Sequence, residues 1–216
     1  MPTLLLRLQG AMQSWGTPSR FDERETETEP SKSGVIGLVC AALGRDRSEE
    51  IDDLAMLSMG VRVDREGICL RDYQTATGVL TAAGKVELGR TVVSPRYYLA
   101  DAVFLVGLAG EDRQLLQQIH HALRAPHWPL FLGRKACVPS PPVYLPDGLC
   151  DSDLETALRH YPALVTQATD QPRRILLEAS QGALRYDQPI APFIERRFGS
   201  RFVTTLPWQP QGEACS

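Results

Sequence analysis

The stretch AVFLVGL, residues 102–108, is the clearest buried strand in this sequence, because apolar or small residues follow one another there without a charge. The apolar residues that come next recur at helical spacing, at Leu115, Leu116, Ile119 and Leu123. They predict an amphipathic helix that ends near Ala125-Pro126, since proline does not continue a helix.

Towards the amino end, short apolar strands alternate with helices. The predicted elements are a strand at 3–8, a helix at 33–43, a short helix at 48–57, and short strands at 61–63 and 68–70. Ser31 or Ser33 can cap the first long helix, and Gly44 can end it. The last core strand is expected within 129–138. The fold class is therefore α+β, and the order strand, helix, strand, strand, helix, strand fits a ferredoxin-like domain.

Two regions lie outside this core pattern. Residues 73–98 are small, β-branched and glycine-rich, which predicts a protruding hairpin. Beyond about residue 140 come proline-rich turns, a short helix at 153–160, and a hairpin of strands 175–178 and 183–186 around Gln181-Gly182. We therefore expect a core of residues 1–140 and a C-terminal extension or small second lobe of residues 141–216.

The distribution of charge permits a polyanionic partner. The 216 residues include 23 basic and 26 acidic side chains, for a formal net charge of −3. Residues 113–146, however, carry four basic side chains and no acid, and a local basic surface is enough for binding. Twenty of the basic residues are arginine, which suits phosphate contacts and stacking on bases. A GC-rich genome predicts the same bias.

Composition argues against membrane, exported and metal-binding classes. No apolar run approaches the ~20 residues that span a bilayer, and Arg7 lies inside the first apolar stretch. The five cysteines are scattered without a CxxC pair, which is typical of reduced thiols in a cytoplasmic protein. The four histidines lack zinc-ligand spacing, so no metal or cofactor is expected.

Two loops next to predicted elements are candidate binding segments. In residues 9–16, Gly10 and Gly16 allow close approach of a ligand to the backbone, and Trp15 offers a stacking ring. The alternative is a tryptophan that packs on the core. In residues 30–34, helix-start amides, two hydroxyls and Lys32 suit an anion, although simple N-capping explains them better.

Two further segments combine cations with aromatic rings. Residues 132–135, LGRK, place a glycine beside two cations near Trp128 and Phe131, although a solvated loop has the same composition. Residues 90–98 carry Arg90, Arg96 and two tyrosines, which are equally consistent with strand packing. No hydrolase or protease motif is present, and the alternating Glu25, Glu27 and Glu29 are more typical of a solvated loop than of a metal site. We therefore expect no enzyme.

Five segments together point to one family. They are RLQGAMQSWG (7–16), PSKSGVIGLVCAALG (30–44), VRVDREG followed by RDYQT (61–75), SPRYYLADAVFLVGL (94–108) and LFLGRKACVPS (130–140). In order and spacing the sequence resembles CasD-like proteins, the single-copy 5′-handle-binding subunits of type I-E CRISPR Cascade in the RAMP superfamily. The resemblance covers roughly residues 3–142.

The resemblance implies a ferredoxin-like, RRM-type core with an inserted β-hairpin thumb at about 74–98. It implies a non-catalytic subunit that grips the 5′ handle of CRISPR RNA, caps the backbone filament and touches the large PAM-reading subunit. Target DNA would be met only through the assembled complex. Because the aromatic RNP1 pattern is missing, loops rather than the sheet face are expected to hold the RNA.

Carried over from the matched segments, the expected RNA-binding residues lie in the loops and around the hairpin. They are Gly10, Met12, Gln13, Ser14, Trp15, Lys32, Ser33, Tyr73, Gln74, Arg90, Arg96, Gly133, Arg134 and Lys135. Gln74 stands where many relatives are expected to have histidine.

Two alternatives remain open. One is a metal-independent endoribonuclease that processes CRISPR repeat RNA, as in type I-C relatives, with Tyr73, Lys85 and a histidine as candidate groups. The other is an unrelated α/β protein that binds a small phosphorylated ligand at residues 31–34. The latter predicts a monomer that purifies without RNA.

Overall fold

The computed structural model describes residues 1–16, 23–81, 83–165 and 173–209, which form helices and mostly antiparallel sheets. The helices are α1 (Lys32–Leu43), α2 (Asp52–Ala55), α3 (Arg113–Arg124) and α4 (Leu154–His160). The strands are β1 (Thr3–Gln9), β2 (Met12–Gln13), β3 (Ser58–Arg65), β4 (Ile68–Leu80), β5 (Val86–Ala100), β6 (Val103–Ala109), β7 (Leu149–Cys150), β8 (Arg174–Ala179), β9 (Ala183–Pro189) and β10 (Phe198–Pro207). The predicted α+β class is confirmed at this level.

The larger sheet has seven strands in the order β7-β1-β6-β3-β8-β10-β9. Helices cover both of its faces: Leu4 and Leu6 of β1 belong to the core beneath α1 and α3, and Leu5 belongs to a second core with α4. Every residue of β6 is buried. Covering on both faces explains why β1 and β6 are continuous apolar runs rather than alternating ones.

Two glycines make room for α4 on the sheet. Gly60 of β3 and Gly107 of β6 lie opposite each other in register. A Cβ atom at Gly60 would lie 2.6 Å from Leu158, and one at Gly107 would lie 2.5 Å from Leu154. Any larger residue at either position would therefore push α4 away from the sheet.

The predicted ends of α1 and the start of α3 follow from local capping. Ser31 is the N-cap of α1, and its hydroxyl accepts the amide hydrogen of Gly34. Gly44 ends α1 with a left-handed φ of 76°, as a C-cap glycine does. Asp112 caps α3 in the same way as Ser31 caps α1. The predicted helices at 33–43 and 115–123 are thus confirmed, and the helix predicted at 48–57 is reduced to α2.

The hairpin between β3 and β6 is longer than the segment 73–98 predicted. β4 and β5 pair in antiparallel register from Ile68 opposite Ala100 to Leu80 opposite Val86, and β2 joins the edge of β5. Apolar side chains near its tip are exposed, including Leu80 and Leu88. Helices of the described segments are all too short to cross a membrane.

Two expectations about pairing are wrong. Residues 129–138 form no strand, and the short β7 instead pairs with β1 at Thr3 and Leu4. The strands expected at 175–178 and 183–186 exist as β8 and β9, but they do not form a hairpin because β10 lies between them and pairs with both. β8 also pairs with β3, so the C-terminal strands continue the main sheet.

Candidate nucleic-acid interface

The first predicted loop turns its central side chains inward. Gln13 is fully buried and its amide donates to the carbonyl oxygens of Leu8 (3.2 Å) and Ala102 (2.8 Å). The indole of Trp15, 1% exposed, donates to Gln13 Oε1 at 3.0 Å. The expectation that Trp15 offers a stacking ring is therefore wrong for this conformation, because the ring is enclosed in the core. Gln13 and Trp15 shape the loop, while Met12 remains exposed.

The first loop and the LGRK segment are in direct contact. The Ser14 amide donates to the carbonyl oxygen of Leu132 at 3.0 Å, and the Ser14 hydroxyl donates to that of Tyr97 at 3.2 Å. Gly133 has φ +88°, and a Cβ there would lie 1.7 Å from the Ser14 carbonyl oxygen. A Cβ on buried Gly10 would lie 2.7 Å from Val138 O. These glycines serve contact between two loops rather than contact with a ligand.

The start of α1 is already occupied by a carboxylate of the chain itself. The Lys32 amide donates to Asp187 Oδ2 at 2.7 Å, and Lys32 Nζ pairs with Glu178 at 2.9 Å. Lys32 is 2% exposed, and burial lowers the pKa of its ammonium group although Glu178 acts in the opposite direction. The N-capping that the sequence favoured here is confirmed by Ser31. The anion site considered at Lys32 is contradicted in this conformation, because Asp187 and Glu178 take the place of the external anion. Ser33 is only partly buried.

Three arginines meet at the base of the hairpin and form what we call the arginine cluster: Arg24, Arg96 and Arg134. Arg24 forms an isolated parallel bridge with Arg96, and Arg134 Nη2 donates to the Arg24 carbonyl oxygen at 2.7 Å. The Arg134 guanidinium also lies over the Tyr98 ring, 4.7 Å from its centroid. These contacts bring the three arginine positions together where the hairpin leaves the body of the protein.

Two donors of the arginine cluster are left unused. Arg96 Nε and Arg134 Nη1 are shielded from solvent and have no hydrogen-bond partner among the described residues. Such orphaned donors are uncommon in proteins. Guanidinium groups with unused donors favour an anion, because they bind phosphate oxygens well.

Sequence reasoning missed Arg24. It lies between Glu23 and Glu25 in a segment that looked acidic and solvated, so no local pattern distinguished it. It reaches the cluster because its backbone pairs with β5: the Arg24 amide donates to Pro95 O, and its carbonyl accepts from the Tyr97 amide. Only the tertiary pairing reveals this position.

The predicted hairpin residues differ in exposure. Tyr73 is 70% exposed, Arg90 and Lys135 are also exposed, and Gln74 is half-buried with its amide donating to Asp72 at 2.5 Å. These positions are open to a strand of RNA that passes the arginine cluster. RNA contact at each of them stays a prediction.

The C-terminal part of the chain contributes aromatic residues that were not predicted. A cleft of about 150 Å³ brings Ser33 and Gly133 together with Phe193 and Phe198. The two phenylalanine rings are 6.4 Å apart, centroid to centroid. They form one wall of the space between the start of α1 and the LGRK segment, so residues beyond 142 also shape this surface.

The groups considered for catalysis do not come together. Tyr73 lies seven residues before the end of β4, and Lys85 lies beyond that end. The two residues are therefore separated by roughly 20 Å along the strand. His120 lies on α3, where its Nε2 is 2.9 Å from Leu145 O, and His160 lies at the end of α4. No histidine is in the hairpin.

The alternating glutamates make ion pairs. Glu29 pairs with Arg174 at 2.7 Å and with Arg185 at 3.2 Å, and Glu27 pairs with Arg185 at 2.9 Å. The interpretation as a merely solvated loop is therefore wrong for Glu27 and Glu29. No cluster of three metal-ligating side chains occurs in the part of the chain that the structure describes.

Comparisons with known proteins agree on one family. The model of the family described as CRISPR-associated protein (Cas_Cas5) matches residues 3–204. The CRISPR system Cascade subunit CasD of Escherichia coli (strain K12) is 33% identical over 172 residues, 73% of this chain and 76% of that protein.

Two solved structures are also similar over nearly the whole chain. One is a crystal structure of a Cas protein with 52% identity and a TM-score of 0.80, covering 97% of this chain and 95% of that one. The other belongs to a CRISPR RNA-guided surveillance complex, with 34% identity, a TM-score of 0.78, and coverage of 95% and 90%. The fold, the family match and these identities together show that the chain belongs to the CRISPR-associated Cas5 protein family.

Proposed function

We propose that this protein is a CRISPR RNA-binding subunit of a Cascade surveillance complex and has no catalytic step of its own. The proposal is supported by two relatives, a Cascade subunit and a chain of an RNA-guided surveillance complex. Within this chain, the observation that carries it is the arginine cluster with its two unused guanidinium donors. A cluster of this kind favours a phosphate backbone.

The RNA in this proposal is the 5′ handle, held at the base of the hairpin. Arg96 and Arg134 contact phosphates and position the strand, while exposed Tyr73 stacks on a base. The buried Gln13 and Trp15 act indirectly, by fixing the loops on which these groups stand.

The finer architectural assignments are also proposals. In chain order, β1, β3, β6 and β7 are strands 1 to 4 and lie in the order 4-1-3-2, which supports a ferredoxin-like core with α1 and α3. The β4–β5 hairpin would be the thumb. Because β7 would then belong to the core, the extension on the β3 edge would consist of β8–β10 rather than of all residues 141–216. In the complex the protein would cap the backbone filament beside the large PAM-reading subunit, in the cytoplasm.

A role as a repeat-cleaving endoribonuclease is less well supported. Metal-independent cleavage needs a base and a cation at one 2′-hydroxyl. Tyr73 and Lys85 are too far apart for that, and no histidine lies on the hairpin. Multiple-turnover cleavage of repeat RNA in the presence of EDTA would overturn the non-catalytic assignment.

The binding role is tested by the salt dependence of RNA affinity. Repeat-derived CRISPR RNA from the native array is titrated with the full chain, co-purified with its Cascade partners, over a series of salt concentrations. The slope of log affinity against log salt is negative, and Lys135→Ala and Arg134→Ala should each reduce its magnitude by about 0.7. Arg124→Ala, an exposed arginine at the end of α3, is the matched control. Unchanged slopes for both variants would contradict the proposed site.

A further inference from the structure

A second surface lies at the opposite end of β1 from the arginine cluster. It is an open groove of about 440 Å³ between α2, the end of β6 and the start of α3, and we call it the acidic groove. The first loop follows the last residue of β1, Gln9. Met1, which lines the groove, precedes the first residue of β1, Thr3. The six residue steps of β1 separate the two surfaces by roughly 20 Å.

The floor of the acidic groove is apolar and partly exposed. Leu57 and Leu115 form its base at 3% and 8% exposure, and Met56 projects beside them with 84% of its surface exposed. Flexible methionine side chains adapt to many apolar partners. An apolar groove bounded by charged groups is typical of a site that binds an amphipathic helix.

The rim of the groove is negative. Four carboxylates line it, at Asp52, Asp53, Glu111 and Asp112. Two of them have structural roles, because Asp53 pairs with Arg45 at 2.5 Å and Asp112 caps α3 through the Leu115 amide at 3.0 Å. The side-chain carboxylates of the other two, Asp52 and Glu111, have no partner among the residues that the structure describes.

The negative charge of the rim indicates which class of partner the groove would bind. A carboxylate rim repels phosphates, so RNA is disfavoured here, whereas lysine or arginine side chains flanking an apolar stripe complement it. We propose that the acidic groove binds a basic amphipathic helix of a partner protein, with apolar side chains on Met56 and Leu115 and cations beside Asp52 and Glu111. The inference does not rest on the RNA-binding role, since it uses a different surface and a different class of partner.

Binding is tested with a designed peptide. The probe is a fluorescent 18-residue helix of leucine and lysine with all leucines on one face, titrated with the full chain and followed by anisotropy. Met56→Gln should weaken binding about tenfold because it removes an exposed apolar side chain that the bound helix would bury. Asp52→Lys should weaken it at least as much, and more at low salt. Leu184→Gln, another exposed apolar position on β9, is the matched control and should have no effect.

Each other outcome overturns the proposal. Absence of binding, or wild-type affinity in the Met56→Gln and Asp52→Lys variants, would show that the groove does not bind this class of helix. Equal affinity for the corresponding leucine–glutamate peptide would remove the role of the rim. A photo-crosslinker at position 56 in the assembled complex should label a basic amphipathic protein segment, and labelling of RNA instead would refute the assignment of partner class. None of these results changes the salt slopes of Arg134→Ala and Lys135→Ala, so the two proposals fail independently.

Discussion

The contact between Gly133 and Ser14 makes a quantitative prediction about how the first loop and the LGRK segment depend on each other. Gly133→Ala places a Cβ 1.7 Å from the Ser14 carbonyl oxygen, which belongs to the backbone and cannot rotate away. It also forces alanine into a left-handed conformation at φ +88°. Both effects act at the same point, where the LGRK segment touches the first loop.

The expected loss of stability in Gly133→Ala is the sum of three contributions. The left-handed conformation costs about 1–2 kcal/mol for an L-residue, and the overlap costs about 1–3 kcal/mol more. Separating the loops also weakens the Ser14–Leu132 hydrogen bond, worth about 1 kcal/mol. The sum is about 3–6 kcal/mol, and for a chain of this size each 1 kcal/mol shifts Tm by about 2–4 °C. A fall in Tm of about 6–24 °C is therefore expected.

The matched control is Gly84, in the turn of the hairpin. Its φ is +73°, but a Cβ there meets nothing within 4 Å. Gly84→Ala therefore carries the conformational cost alone, about 1–2 kcal/mol. Thermal and urea denaturation of both variants, followed by circular dichroism, separate the two contributions. If Gly133→Ala lowers stability no more than Gly84→Ala, the packing between the loops is not as described.

Two further predictions concern charge. Glu29→Gln should lower the free energy of unfolding by about 2 kcal/mol, because it leaves Arg174 and Arg185 without their shared carboxylate. The control Glu195→Gln, which breaks the exposed pair with Arg197, should change it by less than about 0.5 kcal/mol. Equal effects of the two variants in urea denaturation would contradict the assignment. Burial raises the pKa of the Cys40 thiol from 9.0 to about 11, so its contribution to stability is complete below pH 9 and is lost as the pH rises towards 11, by up to about 1.4 kcal/mol per pH unit. Denaturation midpoints between pH 8 and 11 should fall less steeply for Cys40→Ala than for the wild type, and the exposed Cys69→Ala should match the wild type.

The elements that were predicted correctly are those with a local signature. β1, β6, α1 and α3 each have an apolar pattern of the right period, and the caps Ser31 and Gly44 lie next to the residues that they end. Strand pairing has no such signature. β10 lies between β8 and β9 although it follows both in the chain, and β7 is only two residues long, so pattern alone favoured the wrong partners.

The candidate binding surface was predictable by segment but not by side chain. The first loop, the hairpin base and the LGRK segment do meet, and the family resemblance had assigned RNA-binding residues to all three. Which side chains face outward depends on what lies behind them. Trp15 donates a hydrogen bond to Gln13 in the core, and Lys32 forms an ion pair with Glu178. Neither partner could be identified from its spacing in the sequence.

The ion pairs of Glu27 and Glu29 connect the pairing of the C-terminal strands with the position of a residue in the arginine cluster. Residues with the same charge at every second position of an extended segment point to one side, where strands β8 and β9 present Arg174 and Arg185. The segment that carries Arg24 and leads into α1 is thereby fixed on the C-terminal strands. The C-terminal strands, for which the sequence indicated no role, thus hold the segment next to Arg24, in addition to the backbone pairing of Arg24 itself with β5. A deletion of β8–β10 would leave the residues proposed to bind RNA present in the sequence, but it would remove this second anchor of the segment that carries Arg24.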